Sequence, residues 1–315
     1  LETRLKPVAL ALALAAATPA AADFTFFTIG AGPVGGGYYA AARAICEEVH
    51  ARFPGRMRCS PDPTPGSVYN VVALAEGQLD FALVQSDAHH AAVTGTGAFA
   101  DAGPNADLRS VLALYPEPLT LLARQEARIS GIADLAGRRV NLGPRNSGSR
   151  ATAMRLFEAL GLAEEDLADT RALPMGAAID QLCTGDLDAV VTVVGHPNGA
   201  IARALADCEA ELVPIAGPAI DSLVGGSADY TGTTIPRGTY PELARPVPTF
   251  SVTATLMTRA DVPPETVTAV ARIILDTLPD LHRRAPAIPA TRAPGLASDG
   301  LTAPLYDGLA PVLAQ

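Results

Sequence analysis

Two short segments place hydroxyls, glycines and backbone amides where an anion could be held. Gly66-Ser67-Val68-Tyr69-Asn70 opens a helix whose apolar face is Val68, Val71, Val72 and Ala75, with Ser67 expected as its N-cap. Ser147-Gly148-Ser149-Arg150-Ala151-Thr152 opens another. Unpaired amides and the helix dipole favour a carboxylate at such starts. The Arg150 guanidinium adds a fork that matches carboxylate geometry. Two starts facing each other across a cleft would suit an acid with two anionic ends. On the plainer reading each segment is only a cap.

Further polar residues follow apolar runs. Gln85-Ser86-Asp87 comes after Phe81–Val84, and Gly195-His196-Pro197 comes after the run Ala189–Thr192. Polar side chains at the carboxyl ends of buried strands can reach a ligand. His89 and His90 are adjacent, so on a helix they point in different directions, and both are expected at the surface. Gly30-Ala31-Gly32-Pro33-Val34-Gly35 has the spacing of a dinucleotide-binding loop. Pro33 removes an amide from it, Gly36 and Gly37 lengthen it, and no acidic residue ends a second strand at the usual distance; the first candidate is Asp62. The plainer reading is a tight turn. The single lysine, Lys6, excludes Schiff-base chemistry and a phosphate-loop lysine from the rest of the chain. There is no G-x-S-x-G, no H-E-x-x-H and no credible Cys–His pair, so no catalytic residue is assigned.

The elements that must position these residues occur twice. Leu74-Ala75-Glu76-Gly77-Gln78-Leu79-Asp80 and Leu182-Cys183-Thr184-Gly185-Asp186-Leu187-Asp188 share Leu-x-x-Gly-x-Leu-Asp, each followed by an apolar run. A helix stopped by glycine and then a buried strand explains both, and turn chemistry explains Asp80 and Asp188. Upstream, Phe24–Ile29 ends at Gly30 and Arg139–Leu142 ends at Gly143, each before a small-residue loop and a helix. Such alternation predicts an α/β fold with two doubly wound parallel lobes. A third β-rich run, Pro248–Met257, and a helix from about Pro264 to Leu278 are expected to return to the first lobe. Lobe I is then 23–117 with 252–315 and lobe II is 118–251, joined by a two-crossing hinge near Tyr115–Leu121 and Val247–Thr253. The Pro- and Ala-rich stretch after Pro279 is not assigned.

Composition fits an acidic two-domain protein. The chain has 315 residues, 49% hydrophobic and 18% charged, with a net charge of −10. That balance argues against nucleic acid as a partner. Residues 1–22 carry Arg4 and Lys6, the apolar run Val8–Ala17 and Ala20-Ala21-Ala22, the pattern of a cleaved signal peptide. A periplasmic protein, soluble after cleavage, is expected. Export permits disulfides. Cys46, Cys59, Cys183 and Cys208 allow three pairings, and 46–59 with 183–208 close the shortest loops.

Together these motifs resemble the TAXI family of solute-binding proteins that serve TRAP transporters. The resemblance rests on Thr28-Ile29-Gly30 with Gly36-Gly37-Tyr38-Tyr39, Gly66-Ser67-Val68-Tyr69-Asn70 and Gln85-Ser86-Asp87. It continues through Gly143 with Ser147-Gly148-Ser149-Arg150, Gly195-His196-Pro197-Asn198-Gly199, Ile235-Pro236 with Thr239-Tyr240, and Pro248–Thr255. The ending after Pro279 and the absence of a lysine-rich surface depart from the family. The resemblance implies a type II periplasmic binding-protein fold with disulfides on the same cysteine pairs. It also implies capture of a C5 dicarboxylate such as 2-oxoglutarate or glutamate, and delivery to an integral membrane TRAP permease. A monomer without cofactor or metal is expected. The expected ligand residues are Gly37, Tyr38, Tyr39, Ser67, Val68, Gln85 and Asp87 on one side. Facing them are Ser147, Gly148, Ser149, Arg150, Gly195 and Pro197. Tyr39 is expected to cover the carbon chain and Arg150 to clamp a carboxylate. Two other readings are an exported α/β oxidoreductase using the glycine loop for a dinucleotide, and a ligand-binding partner of a membrane sensor.

Overall fold

The computed structural model describes residues 24–292, 295 and 300–313. The leader read over residues 1–22 lies outside the described residues. The first half of the chain runs β1 (Thr25–Gly30), α1 (Gly37–Arg52), β2 (Met57–Asp62), α2 (Ser67–Ala75), β3 (Phe81–Gln85) and α3 (Ser86–Thr94). A long strand, β4 (Leu108–Arg124), leads into β5 (Arg139–Asn141), α4 (Gly148–Leu160), β6 (Asp169–Arg171), α5 (Met175–Thr184) and β7 (Ala189–Val193). Then come α6 (Gly199–Asp207), β8 (Ala210–Val213), α7 (Pro218–Gly225), β9 (Thr231–Ile235) and a second long strand, β10 (Val247–Arg259). The chain closes with α8 (Pro264–Asp276), α9 (Leu278–Arg284) and the single turn α10 (Ala310–Leu313). Among the described residues, no helix is long and apolar enough to cross a membrane.

The strand order is β2-β1-β3-β10-β4-β7-β5-β6, with β8 also on β4 and β9 also on β10. β1 runs parallel to β2 and β3, and β5 runs parallel to β6 and β7. β4 and β10 run antiparallel to each other along most of their length. Each also changes partner on the way. β4 pairs with β7 and β8 only from Leu119 onward. β10 pairs with β9 through Ser251 and with β3 from Ala254.

The repeated Asp does more than shape a turn. Asp80 Oδ2 accepts the Thr28 amide at 2.9 Å, and Asp188 Oδ2 accepts the Arg139 amide at 2.8 Å. In each half, the residue that opens the third strand is thereby fastened to the first. Arg139 also grips Asp188 through its guanidinium at 2.6 and 3.1 Å, which holds that carboxyl below the usual carboxylate range.

The cores follow the halves. Ile45, Val49, Val267, Val270 and Ile274 join α1 to α8 under the first set of strands. Val140, Leu156, Phe157, Val191 and Ile220 form the core under the second. The helix expected to run to Leu278 ends at Asp276, and Thr277 hands over to α9. Leu281 and Ile288 then continue the first core. His89 is fully buried, not at the surface, because the segment around Thr302 lies on it and Thr302 Oγ1 sits 2.7 Å from its Nδ1. Burial pushes that imidazole down to about 3, so it is neutral at neutral pH. His90 does reach outward, to Asp229 at 2.5 Å.

Cys46 of α1 is bonded to Cys59 of β2, and Cys183 of α5 to Cys208 just beyond α6. Neither bridge links the two halves. Peptide mapping without reduction should recover these two pairs alone. Replacing either pair by alanine should lower stability by roughly 2–4 kcal/mol in denaturant titration. A bridge between Cys46 or Cys59 and Cys183 or Cys208 would contradict the described connectivity.

Candidate functional site

Three helices begin at one cavity. Gly36, Gly37 and Tyr38 from the start of α1, Gly66 and Ser67 from the start of α2, and Ser147, Gly148 and Ser149 from the start of α4 line a space of about 90 Å³. The chain reaches each start through a glycine-containing loop. Gly66 sits at φ +124°, a conformation that side-chain-bearing residues rarely adopt. Among the described residues, the amides of Gly37, Tyr38, Ser67, Gly148 and Ser149 have no hydrogen-bond acceptor. These are the orphan donors that every helix start leaves, and they carry the positive end of the helix dipole. Gln85, Thr192, Val193, Val194, Met175, Pro33 and Glu117 complete the wall. At roughly 10–15 Å³ per water, the cavity suits a small metabolite and not a dinucleotide. The glycine loop is a turn closed by the Gly36 amide on the Pro33 carbonyl at 2.9 Å.

The halves meet directly beside this cavity. The Tyr69 amide donates to the Asn146 carbonyl at 3.1 Å. A Cβ placed on Gly148 would come within 2.5 Å of Gln85 Cδ and 2.7 Å of Ser67 Oγ. Those neighbours are held in place. Ser67 Oγ accepts the Gln85 amide at 3.1 Å, and Gln85 Nε2 donates to Thr152 Oγ1 at 2.9 Å. Ser67 is therefore the first helical residue and not the N-cap; Gly66 takes that place. Ser147 does cap α4, accepting the Arg150 amide at 3.2 Å. Ser149 Oγ accepts the Val193 amide at 3.0 Å and so ties α4 to β7.

Of the residues expected from sequence, Gly37, Tyr38, Ser67, Gln85, Ser147, Gly148 and Ser149 stand together on the cavity wall. The others do not. Tyr39 packs against the first core, and Val68 against the cluster under α2 and α3. Consecutive helical residues point about 100° apart, so at the start of α1 only Tyr38 can face the cleft. Arg150 turns away: its guanidinium holds Glu164 at 2.5 and 2.7 Å, and it clamps no ligand position. Gly195 is packed on Tyr115 and Ala287, and Pro197 is exposed. His196 lies between Thr120 Oγ1 at 2.9 Å and Tyr240 Oη at 2.6 Å, and burial lowers it to about 4. Asp87 sits behind the wall, where it accepts from Thr152 Oγ1 at 2.6 Å and from the Ala88 amide at 2.8 Å. Burial raises its carboxyl to about 6 despite the Thr152 bond.

Glu117 was not anticipated. It is only 4% exposed, and its Oε2 accepts the Tyr38 hydroxyl at 2.7 Å. Burial pushes its carboxyl up to about 8, and the same burial raises Tyr38 well above its ordinary value. The sequence carried a sign of it: an acidic residue between Pro116 and Pro118, inside an otherwise apolar run. No lysine, arginine or histidine lines the cavity among the described residues. No group of three His, Cys, Asp or Glu that could hold a metal occurs among them either.

Known structures share this fold. The alkanesulfonate-binding protein SsuA from Xanthomonas axonopodis pv. citri, solved bound to MOPS, superposes with a TM-score of 0.50 at 17% identity, over 84% of this chain and 74% of that one. The periplasmic binding protein BugD superposes with a TM-score of 0.57 at 11% identity, over 88% and 90% of the two chains. At such identities the likeness is one of fold: two α/β lobes joined by two strand crossings, the type II periplasmic binding-protein arrangement. Both are named as binding proteins. Residues 29–310, which include all three helix starts and both crossing strands, match the NMT1-like family, and the chain belongs to that family.

Proposed function

We propose that this protein captures a small organic acid between its two lobes and delivers it to an integral membrane transporter. The observation that carries this reading is the convergence of three helix starts with unpaired amides, drawn from both halves, on one cavity. A carboxylate is the ligand group such a place stabilises, and the charge is met by dipoles instead of cations. Because α1 and α2 belong to one half and α4 to the other, a carboxylate held there favours the closed form over any open one. Binding energy goes into closure, and no bond of the ligand is made or broken.

The finer reading is a periplasmic binding component of a TRAP-type secondary transporter for C5 dicarboxylates such as 2-oxoglutarate or glutamate. Its support is the order of motifs from Gly36-Gly37-Tyr38 through Ser147-Gly148-Ser149, together with the export pattern of residues 1–22. The same reading puts a membrane permease, and no nucleic acid, among the partners of a monomeric protein.

Calorimetry with a panel of organic acids, neutral sugars and organic cations tests the reading: acids should bind, and binding of sugars or cations alone would refute it. Gly148→Ala should weaken acid binding at least tenfold, since the added methyl group meets Gln85 and Ser67 only when the lobes close. Its melting temperature without ligand should hardly move if the two lobes separate freely. Arg150→Ala should leave affinity within about twofold, because its guanidinium is spent on Glu164. Uptake by vesicles carrying the partner permease should follow an ion gradient and proceed without ATP; strict ATP dependence would remove the TRAP assignment.

A further inference from the structure

The capture of a carboxylate leaves one group on the cavity wall without a use. Among the described residues, Glu117 is the only carboxyl lining the cavity, and it stands at the point where β4 passes from one half to the other. Among the described residues its carboxyl has one hydrogen-bond donor, Tyr38, and no ion pair. The titratable groups around it are Tyr38 of α1, Tyr115 of β4 and Asp87 of α3, and none brings a positive charge. A buried carboxyl in such surroundings is unfavourable as an anion unless something pairs with it. It holds its proton up to about pH 8, chiefly because it is buried. The cavity therefore offers unlike groups: amide and hydroxyl donors at the helix starts, and a carboxyl that lacks a cation. A ligand with only carboxylates satisfies the first and leaves Glu117 protonated. A ligand that also carries an ammonium group satisfies both.

We propose that Glu117 determines the specificity of the site, selecting acids that also bear a protonated amine: the ligand carboxylate lies at the helix starts and the ammonium pairs with Glu117. The proposal rests on the capture of an organic acid and narrows it to amino acids over the matching oxo acids. On binding, the Glu117 carboxyl gives its proton to solvent, and the resulting carboxylate faces the ammonium.

Matched pairs that differ only at the amine test this: L-glutamate against 2-oxoglutarate, and L-alanine against pyruvate. By calorimetry, the wild-type protein should bind the amino member of at least one pair about 100-fold more tightly. At pH 7, calorimetry in two buffers of different ionisation enthalpy should show release of close to one proton per amino acid bound and none per oxo acid. Glu117→Gln, which keeps size and a hydrogen-bonding head, should abolish the preference by weakening the amino acid about 100-fold while the oxo acid changes little. Wild-type protein that binds the oxo acids as well as the amino acids, or binds amino acids without releasing a proton, overturns the proposal and leaves acid capture standing. So does a Glu117→Gln variant that keeps the preference. If none of the four acids binds, acid capture by this site and the role of Glu117 fall together. The wild-type arms decide the matter even if the variant does not fold.

Discussion

Everything in this molecule hangs on the antiparallel pairing of two long strands, Leu108–Arg124 and Val247–Arg259. They form the middle of the sheet; the second hydrogen-bonds to β3 of the first half and β9 of the other, and the first to β7 and β8. A strand that serves two sheets must satisfy two sets of ladder bonds, and the register shifts at Ala254/Thr255 and Leu256/Met257 accommodate that demand. The prolines at 116 and 118 fall where β4 changes partners, a place where a missing amide costs a sheet little. Six further strands are attached to this pair as two parallel sets of three, with their carboxyl ends, and the helices that follow them, turned toward the gap between the halves, while β8 and β9 pair antiparallel with the long strands themselves.

That arrangement explains how an acidic chain can hold an anion. The chain carries a net charge of −10 and has no lysine beyond residue 6, and the cavity wall carries no cationic side chain among the described residues. Attraction comes instead from fixed dipoles and unpaired amides. These need no ordering of long side chains and are screened less than surface charges. Arg150 shows the alternative and why it is not used here. Its guanidinium is adjacent in sequence to the helix start, yet Glu164 holds it on the far side of α4.

Sequence alone made the architecture legible because it is written twice. The Leu-x-x-Gly-x-Leu-Asp repeats, the glycine-ended strands and the third β-rich run are local patterns, and local patterns fix helices, strands and their alternation. The helix starts were legible for the same reason, since serine and glycine before an apolar periodicity carry their own mechanism. What escaped was set by partners distant in sequence. His89 is buried by Thr302, and Arg150 is taken by Glu164 after the end of its helix. Whether Tyr38 or Tyr39 faces the cleft depends on a rotation that only packing fixes. Ser67 lost its capping role because Gly66 takes the N-cap position and the Ser67 hydroxyl accepts the Gln85 amide instead. Glu117 left a visible trace between two prolines, but its environment comes from three elements that no single window of sequence contains.

The close approach at Gly148 has a kinetic consequence. With Gln85 and Ser67 seated against that glycine and the Tyr69 amide bonded to the Asn146 carbonyl, the cavity has a wall made by both halves at once. A bound molecule that touches both halves loses its contacts to one of them whenever the seam parts. Its lifetime is then governed by how often that seam parts. Ligands that bridge the halves more strongly would hold the seam closed for longer, and a membrane partner could speed unloading by prising the seam apart without ever touching the cargo.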